Sequence, residues 1–239
     1  MKKLLLGLSL VSFQVGISKS LSLEEQDNVN DQLFSSVKKF DLDGAKRALE
    51  LGADVNVNHE VGGDTPLHKV AHYKYSQYAY HSFLIAQLLI EHGADVNAQD
   101  VHGNTPLHEA AICDNLKVAQ LLIEHGADVN AQNAYGNAPL HKTISCKYYA
   151  RVINLLLAHD ADVNATDVQG ATPLHIASLE NHVEAAYSLI KNGANVNAKD
   201  NRGNTPLDYT QLYLDAYKRE VITNLLITHG AQKKSWFRL

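Results

Sequence analysis

Several things are scarce in this chain, and each scarcity excludes a class of protein. Two cysteines among 239 residues cannot build a disulfide framework or a four-cysteine zinc site. No apolar run reaches the roughly 18 residues that a membrane-spanning helix needs. No basic block exists: Lys+Arg is 21 against Asp+Glu 26, a net charge of −5. That balance lacks the electrostatic grip that phosphate backbones and anionic lipids select for. No Gly-x-Ser-x-Gly elbow, phosphate loop or dinucleotide fingerprint occurs. What is left is an ordinary globular composition, 45% hydrophobic and 20% charged, which argues against a wholly disordered chain.

The first 20 residues read as a leader. Lys2 and Lys3 precede an apolar stretch from Leu4 to Ile17, and small residues follow at Gly16/Ser18 and Ser18/Ser20. This is the pattern of a secretory signal peptide. As a helix it would span about 21 Å, short of the roughly 30 Å hydrocarbon core. The alternative is a buried N-terminal helix, which Gln14 inside the run keeps open. With a leader, the mature chain begins near Lys19 or Leu21, after cleavage behind Ser18 or Ser20, and is periplasmic or secreted.

Self-similarity dominates the rest. Asn104-Thr105-Pro106-Leu107-His108 recurs as Asn204-Thr205-Pro206-Leu207-Asp208, with further copies at Asp64 to His68 and Ala171 to His175 and a weaker one at Asn137 to His141. A second motif lies between them: Gly52-Ala53-Asp54-Val55-Asn56, then Gly93 to Asn97, Gly126 to Asn130, Asp160 to Asn164 and Gly193 to Asn197. The Thr positions, with Ala138 in the third copy, step by 40, 33, 34 and 33. A fixed period of this length is the mark of a stacked-repeat protein. Thr-Pro is a helix start, because Thr caps well and Pro suits the first helical position. A second helix carries Leu116, Ala119, Leu122 and Ile123 on one face and ends at Gly126, where a left-handed residue closes a helix. Asp100 and Gly103 mark a turn. One helix pair cannot bury its own apolar face, so the units must stack.

Thr-Pro-Leu-His followed by Gly-Ala-Asp-Val-Asn resembles the ankyrin repeat. The resemblance implies an all-α solenoid of stacked helix-turn-helix units with projecting β-hairpin-like loops. It covers residues 31–232, with a divergent first unit over 31–58, full repeats starting near 60, 100, 133, 167 and 200, and a short tail over 233–239. It also implies a non-enzymatic scaffold that binds a protein partner through a concave face, with no cofactor, metal, nucleic acid or membrane contact, and a monomer. With the leader, the expectation is an exported scaffold aimed at a host protein. The alternative is a periplasmic stabiliser of a resident bacterial protein. Carried over position by position, the face takes Val101, His102, Asn104, Tyr135, Asn137, Gln169, Arg202 and Asn204 from the loops. From the first helices it takes Tyr73, Ile112, Cys113, Leu179 and Glu180. The resemblance makes His68, His108, His141 and His175 structural clips to the backbone between units.

The copies differ in informative ways. The first full unit is seven residues longer from Thr65 to Gly93 than the second from Thr105 to Gly126. The excess, near His72 to Ser82, holds four of the chain's eleven Tyr. Tyr is enriched at binding surfaces, so Tyr75, Tyr78 and Tyr80 join the candidates. Their alternative role is to shield the lengthened helices. Tyr209, Tyr213 and Tyr217 form one helical stripe and read as packing. His68 and His72 are spaced like two zinc ligands, but no third ligand is evident and the clip role competes. His92, His125, His159 and His229 sit in the last turn of second helices, where an imidazolium suits the helix dipole. Asp41-Leu42-Asp43-Gly44 lacks the glycine position and terminal Glu of a calcium loop and reads as a turn. Cys113 and Cys146 occupy equivalent positions in neighbouring units, about 8–10 Å apart and beyond the roughly 7 Å limit for a disulfide. Both thiols are expected free.

The third unit is degraded at both ends, with Ala138 for the capping Thr and Asp160 for the closing Gly. Amide hydrogen exchange should find 138–164 the least protected stretch of the repeats. Protection equal to that of 100–130 would contradict this.

Overall fold

The computed structural model describes residues 22–58, 61–73, 78–144, 151–211 and 216–232, so the leader, Tyr75, Cys146, Tyr213 and the tail lie outside the described residues. Among the described residues twelve helices make six pairs. The pairs are α1 (Leu23–Lys39) with α2 (Leu42–Glu50), α3 (Pro66–Ala71) with α4 (Ala79–Glu91) and α5 (Pro106–Ile112) with α6 (Leu116–Glu124). Then come α7 (Pro139–Thr143) with α8 (Arg151–Ala158), α9 (Pro173–Leu179) with α10 (Val183–Lys191) and α11 (Pro206–Thr210) with α12 (Ala216–Thr228). Among the described residues no strand forms, and no helix is long and apolar enough to cross a membrane.

Odd-numbered helices pack on odd-numbered ones and even on even, so the stack has two layers. One core runs through all six pairs. Leu67, Leu107, Leu140 and Leu174 hold the same place in successive first helices, and Leu89, Leu122, Leu156 and Leu189 in successive second helices; all are essentially inaccessible to water. Burial of such side chains is the main driving force, at about 1.5–3 kcal/mol each. All five prolines sit at the first position of α3, α5, α7, α9 and α11, where the missing N–H has no intrahelical partner to lose.

The first unit starts at Leu23, earlier than residue 31. Ser22 caps α1 through a reciprocal pair with Glu25. The Asp41 to Gly44 segment is a turn with a cap: the Asp41 carboxylate accepts the Gly44 N–H at 2.9 Å.

Polar connectors fix the spacing of the units. In His108, Nδ1 accepts the Thr105 N–H at 3.0 Å and faces the Thr105 hydroxyl at 2.9 Å. The proton must therefore lie on Nε2, which donates to the Asn137 carbonyl of the next unit at 2.9 Å. His68 reaches Asn104, His141 reaches Ala171 and His175 reaches Asn204 in the same way. A second series uses asparagine. Asn56 accepts the Asp95 N–H and donates to the Gly93 carbonyl. Asn97, Asn130 and Asn164 repeat both bonds, and Asn197 closes the series on Gln232 and Gly230. The first unit has no predecessor, and α1 supplies the bonds instead: Asn30 accepts the Asp54 N–H and Gln26 donates to the Gly52 carbonyl.

The third unit shows both defects. Ala138 leaves His141 Nδ1 with the backbone N–H alone, at 3.1 Å. Asp160 takes φ +61°, the left-handed region that Gly fills elsewhere. A bond from the neighbouring unit compensates in part. Buried Asp114 accepts the Val152 N–H at 3.1 Å and Arg151 Nε at 2.8 Å, capping α8 from outside its own unit.

Ala138→Thr should raise unfolding stability by about 1 kcal/mol, read as a higher urea midpoint at unchanged slope. The clips should also make stability fall with acid. Burial lowers the pKa of His108 to about 4 and moves His141 and His175 in the same direction. Between the unfolded value of 6.5 and about 4, the unfolded chain holds the extra proton. Stability is therefore fully present above pH 6.5 and is lost as pH falls, by on the order of 3 kcal/mol for His108 alone. Urea midpoints measured from pH 7.5 to 4 should show the loss, and His108→Gln should flatten it.

Candidate interaction surface

Loop tips project from one edge of the first-helix layer, and each is built the same way. Asp100 Oδ1 accepts the N–H groups of His102 and Asn104 at 2.8 Å each. Asn133 does the same for Tyr135 and Asn137, Asp167 for Gln169 and Ala171, and Asp200 for Arg202 and Asn204. A side chain that accepts from its own backbone two residues on holds a tight turn. Glycine then turns the chain with positive φ. At Gly136, φ is +73° and a Cβ would lie 2.7 Å from the Val168 nitrogen, so only glycine fits.

That close approach serves a ladder between tips. Val101 N–H donates to the Gly62 carbonyl, Ala134 to His102, Val168 to Tyr135 and Asn201 to Gln169, at 2.8 to 3.2 Å. The tips are thereby locked to one another as well as to their own units. Val101, Tyr135 and Val168 are each more than half exposed, and His102, Gln169 and Arg202 are exposed beside them. The His102 and Tyr135 rings lie 6.3 Å apart. Between the last two tips opens a cavity of about 470 Å³ lined by Val168, Gln169, Arg202, Asp208 and Tyr209. The Tyr209 hydroxyl donates to Asp200 at 3.0 Å, and burial first, then Asp200, pushes its pKa up to about 12. Tyr209 is thus a packed wall, neutral at physiological pH.

The repeated motifs two helices apart are the family's mark. A family model of ankyrin repeats (3 copies) matches residues 33–133, and one of ankyrin repeats (many copies) matches residues 144–209. The chain belongs to the ankyrin-repeat family. It is 41% identical over 83 residues to the human ARF GTPase-activating protein GIT1, covering 35% of this chain and 10% of that one. It is 36% identical over 89 residues to the human 2-5A-dependent ribonuclease, covering 37% of this chain and 11% of that one. A putative ankyrin repeat protein of Rickettsia bellii (strain RML369-C) is 34% identical over 103 residues, covering 34% of this chain and 40% of that one. The chain thus spans about a tenth of the length of the human relatives, and the likeness runs through the repeats. Ankyrin repeats mediate protein–protein interaction and are typically non-enzymatic scaffolds.

On this ankyrin framework the candidate residues divide. Val101, His102, Tyr135, Gln169 and Arg202 stand together on the exposed tips. Asn104, Asn137 and Asn204 are half-buried, and their carbonyls receive the His68, His108 and His175 clips. The Asn104 and Asn204 amides also donate to Asp100 and Asp200, so these asparagines brace the tips instead of presenting themselves. Ile112, Leu179 and Glu180 are half-buried. Cys113 is a correction: it is 8% exposed, and its thiol donates to the His72 carbonyl at 3.1 Å. The tyrosines of the long unit divide too. The Tyr73 hydroxyl donates to the Lys38 carbonyl and its ring meets Phe40 edge-on, while Tyr78 stacks on Phe40 at 4.5 Å. These two shield the first unit. Tyr80 is 58% exposed on the second-helix layer, with Lys117 over its ring at 5.8 Å. Sequence reasoning missed Val168, although its alignment with Val101 was a usable signal. His68 does not pair with His72 as a zinc ligand, since its Nε2 is spent on the Asn104 carbonyl and its Nδ1 on Thr65.

Proposed function

We propose that the chain is an exported scaffold that captures a protein partner on the loop-tip edge, centred on Val101, His102, Tyr135, Val168 and Gln169. The observation that supports this reading is the exposure of these apolar and aromatic side chains on a backbone made rigid by the ladder. Preorganised tips lose little entropy on binding, and exposed aromatic and apolar clusters mark interfaces. Six units at about 10 Å each offer an edge of about 60 Å, ample for the roughly 800 Å² per partner of a standard interface. Export rests on Lys2, Lys3 and the Leu4 to Ile17 run. The partner proposed is a host protein, with a resident periplasmic protein as the alternative target of a leader-bearing scaffold.

Site-specific photo-crosslinking in the producing cells and their hosts tests both parts. A photoreactive residue at Tyr135 should yield one dominant adduct, and the same residue at exposed Gln120 on the second-helix layer should yield none. The adduct's intact mass should place the chain's first residue near Lys19 or Leu21. Equal labelling at both positions would overturn the loop-tip site. An uncleaved leader would overturn export, and a periplasmic partner would replace the host target with the resident-stabiliser role.

A further inference from the structure

The residue that follows the clip position is Lys69, Glu109, Lys142 and Ile176 in the first four full units, and Tyr209 in the fifth. Lys69 and Glu109 are spent on Asp64 and His72. Tyr209 instead joins Val168 in walling the 470 Å³ cavity between the last two tips. Its ring is held from two sides. The hydroxyl is tied to Asp200 at 3.0 Å, and the ring meets the His175 imidazole edge-on at 5.0 Å. The charges around this ring are unequal. Asp200 and Asp208 line the cavity, Asp167 lies near enough to act on the Tyr209 hydroxyl, and Arg202 is the one cation in the lining. The bonds these carboxylates accept do not cancel the excess, because the donors are neutral. Asp200 takes the Arg202 and Asn204 N–H groups, the Asn204 amide and the Tyr209 hydroxyl, and Asp208 takes the Thr205 N–H and hydroxyl. Such bonds favour the ionised form. At Asp167, Oδ1 accepts the Gln169 and Ala171 N–H groups, but Ala171 has no side-chain amide to offer the other oxygen, as Asn104 and Asn204 offer Asp100 and Asp200.

We propose that this cavity is an anchor pocket for a basic side chain of the protein partner, arginine before lysine; the inference rests on the loop-tip reading above and names what that edge selects. The volume is within the range of ligand pockets, about 300–1,000 Å³. A guanidinium is planar and weakly hydrated, so it lies well against an aromatic face while its N–H groups reach carboxylates. Tyr209 supplies the face and Asp208 the carboxylate, and the apolar stem of the incoming side chain packs along Val168. Arg202 has the same sign as the ligand. It lowers affinity, and its removal should raise it.

The test titrates the isotope-labelled full chain with a capped Gly-Gly-Arg-Gly-Gly peptide, and with its lysine and glutamate counterparts, and follows the NMR signals of Val168, Gln169 and Tyr209. The arginine peptide should shift them at millimolar concentration, the lysine peptide less, and the glutamate peptide not at all. Asp208→Asn should weaken arginine binding roughly two- to fivefold, since Asn still caps the helix start. Arg202→Gln should strengthen it by a similar factor. The spectra themselves show whether each variant folds. No shift from the arginine peptide, equal shifts from the glutamate peptide, or weaker binding in Arg202→Gln would each overturn the pocket. The peptides need no native partner, so the two readings fail separately. A silent pocket beside a Tyr135 adduct would overturn the pocket alone, and a pocket that binds arginine without any Tyr135 adduct would overturn the scaffold site alone.

Discussion

Four full units are each tied to the next by an imidazole, and at His108 that imidazole must stay neutral. Its Nδ1 is committed to accepting from the Thr N–H at the head of its own helix, and its Nε2 to donating across the interface. A second proton on Nδ1 would set a donor against a donor in a buried place, and burial is what holds the His108 pKa down. One side chain thus closes a helix start and sets the distance to the next unit. The Thr and proline that precede the imidazole start the same helix, so the motif recurs as a block, although His141 keeps its clip with Ala138 in place of Thr.

The apolar layers supply most of the driving force, but they do not set the register. Leucine on leucine tolerates sliding, whereas a hydrogen bond to a named carbonyl does not. The long second helix of the first full unit makes the point. Ala79–Glu91 is four residues longer than Leu116–Glu124, yet Asn56 still reaches Gly93 at 3.2 Å as Asn97 reaches Gly126 at 3.1 Å. The extra length is absorbed within the unit, and the edges keep their step. A binding edge assembled from successive tips stays aligned even where the helices behind it differ.

The helix pairs, their order and the clip histidines were legible in the sequence because repetition averages out local ambiguity: four copies of Thr-Pro-Leu and one of Ala-Pro-Leu, at steps of 40, 33, 34 and 33, leave one consistent reading. The exposed tips were legible for the same reason. What escaped lies where copies stop matching. Asp114 capping Arg151 and Val152 joins two different units across an unaligned stretch, and no spacing rule predicts it. The contact of Tyr73 and Tyr78 with Phe40 depends on how an insertion folds back. Cys113 was read as presented because equivalent positions in the family's face are open. The closeness of His72 in the preceding unit encloses it.

The clips give the stack a direction. Every full unit but the last holds a donor aimed forward, and every full unit after the first receives one on the carbonyl before its Thr or Ala cap. In the last full unit the series changes. Asp208 stands where the other copies have His, and its carboxylate accepts from the Thr205 N–H and hydroxyl as the imidazole does. Lys234 stands where the asparagine of the other series would fall. A carboxylate preserves the helix start yet has no proton to offer a following carbonyl. The array is therefore grammatical in one direction only, and Asp208 acts as its punctuation: it keeps the start of the final unit's first helix while ending the series of forward-aimed donors.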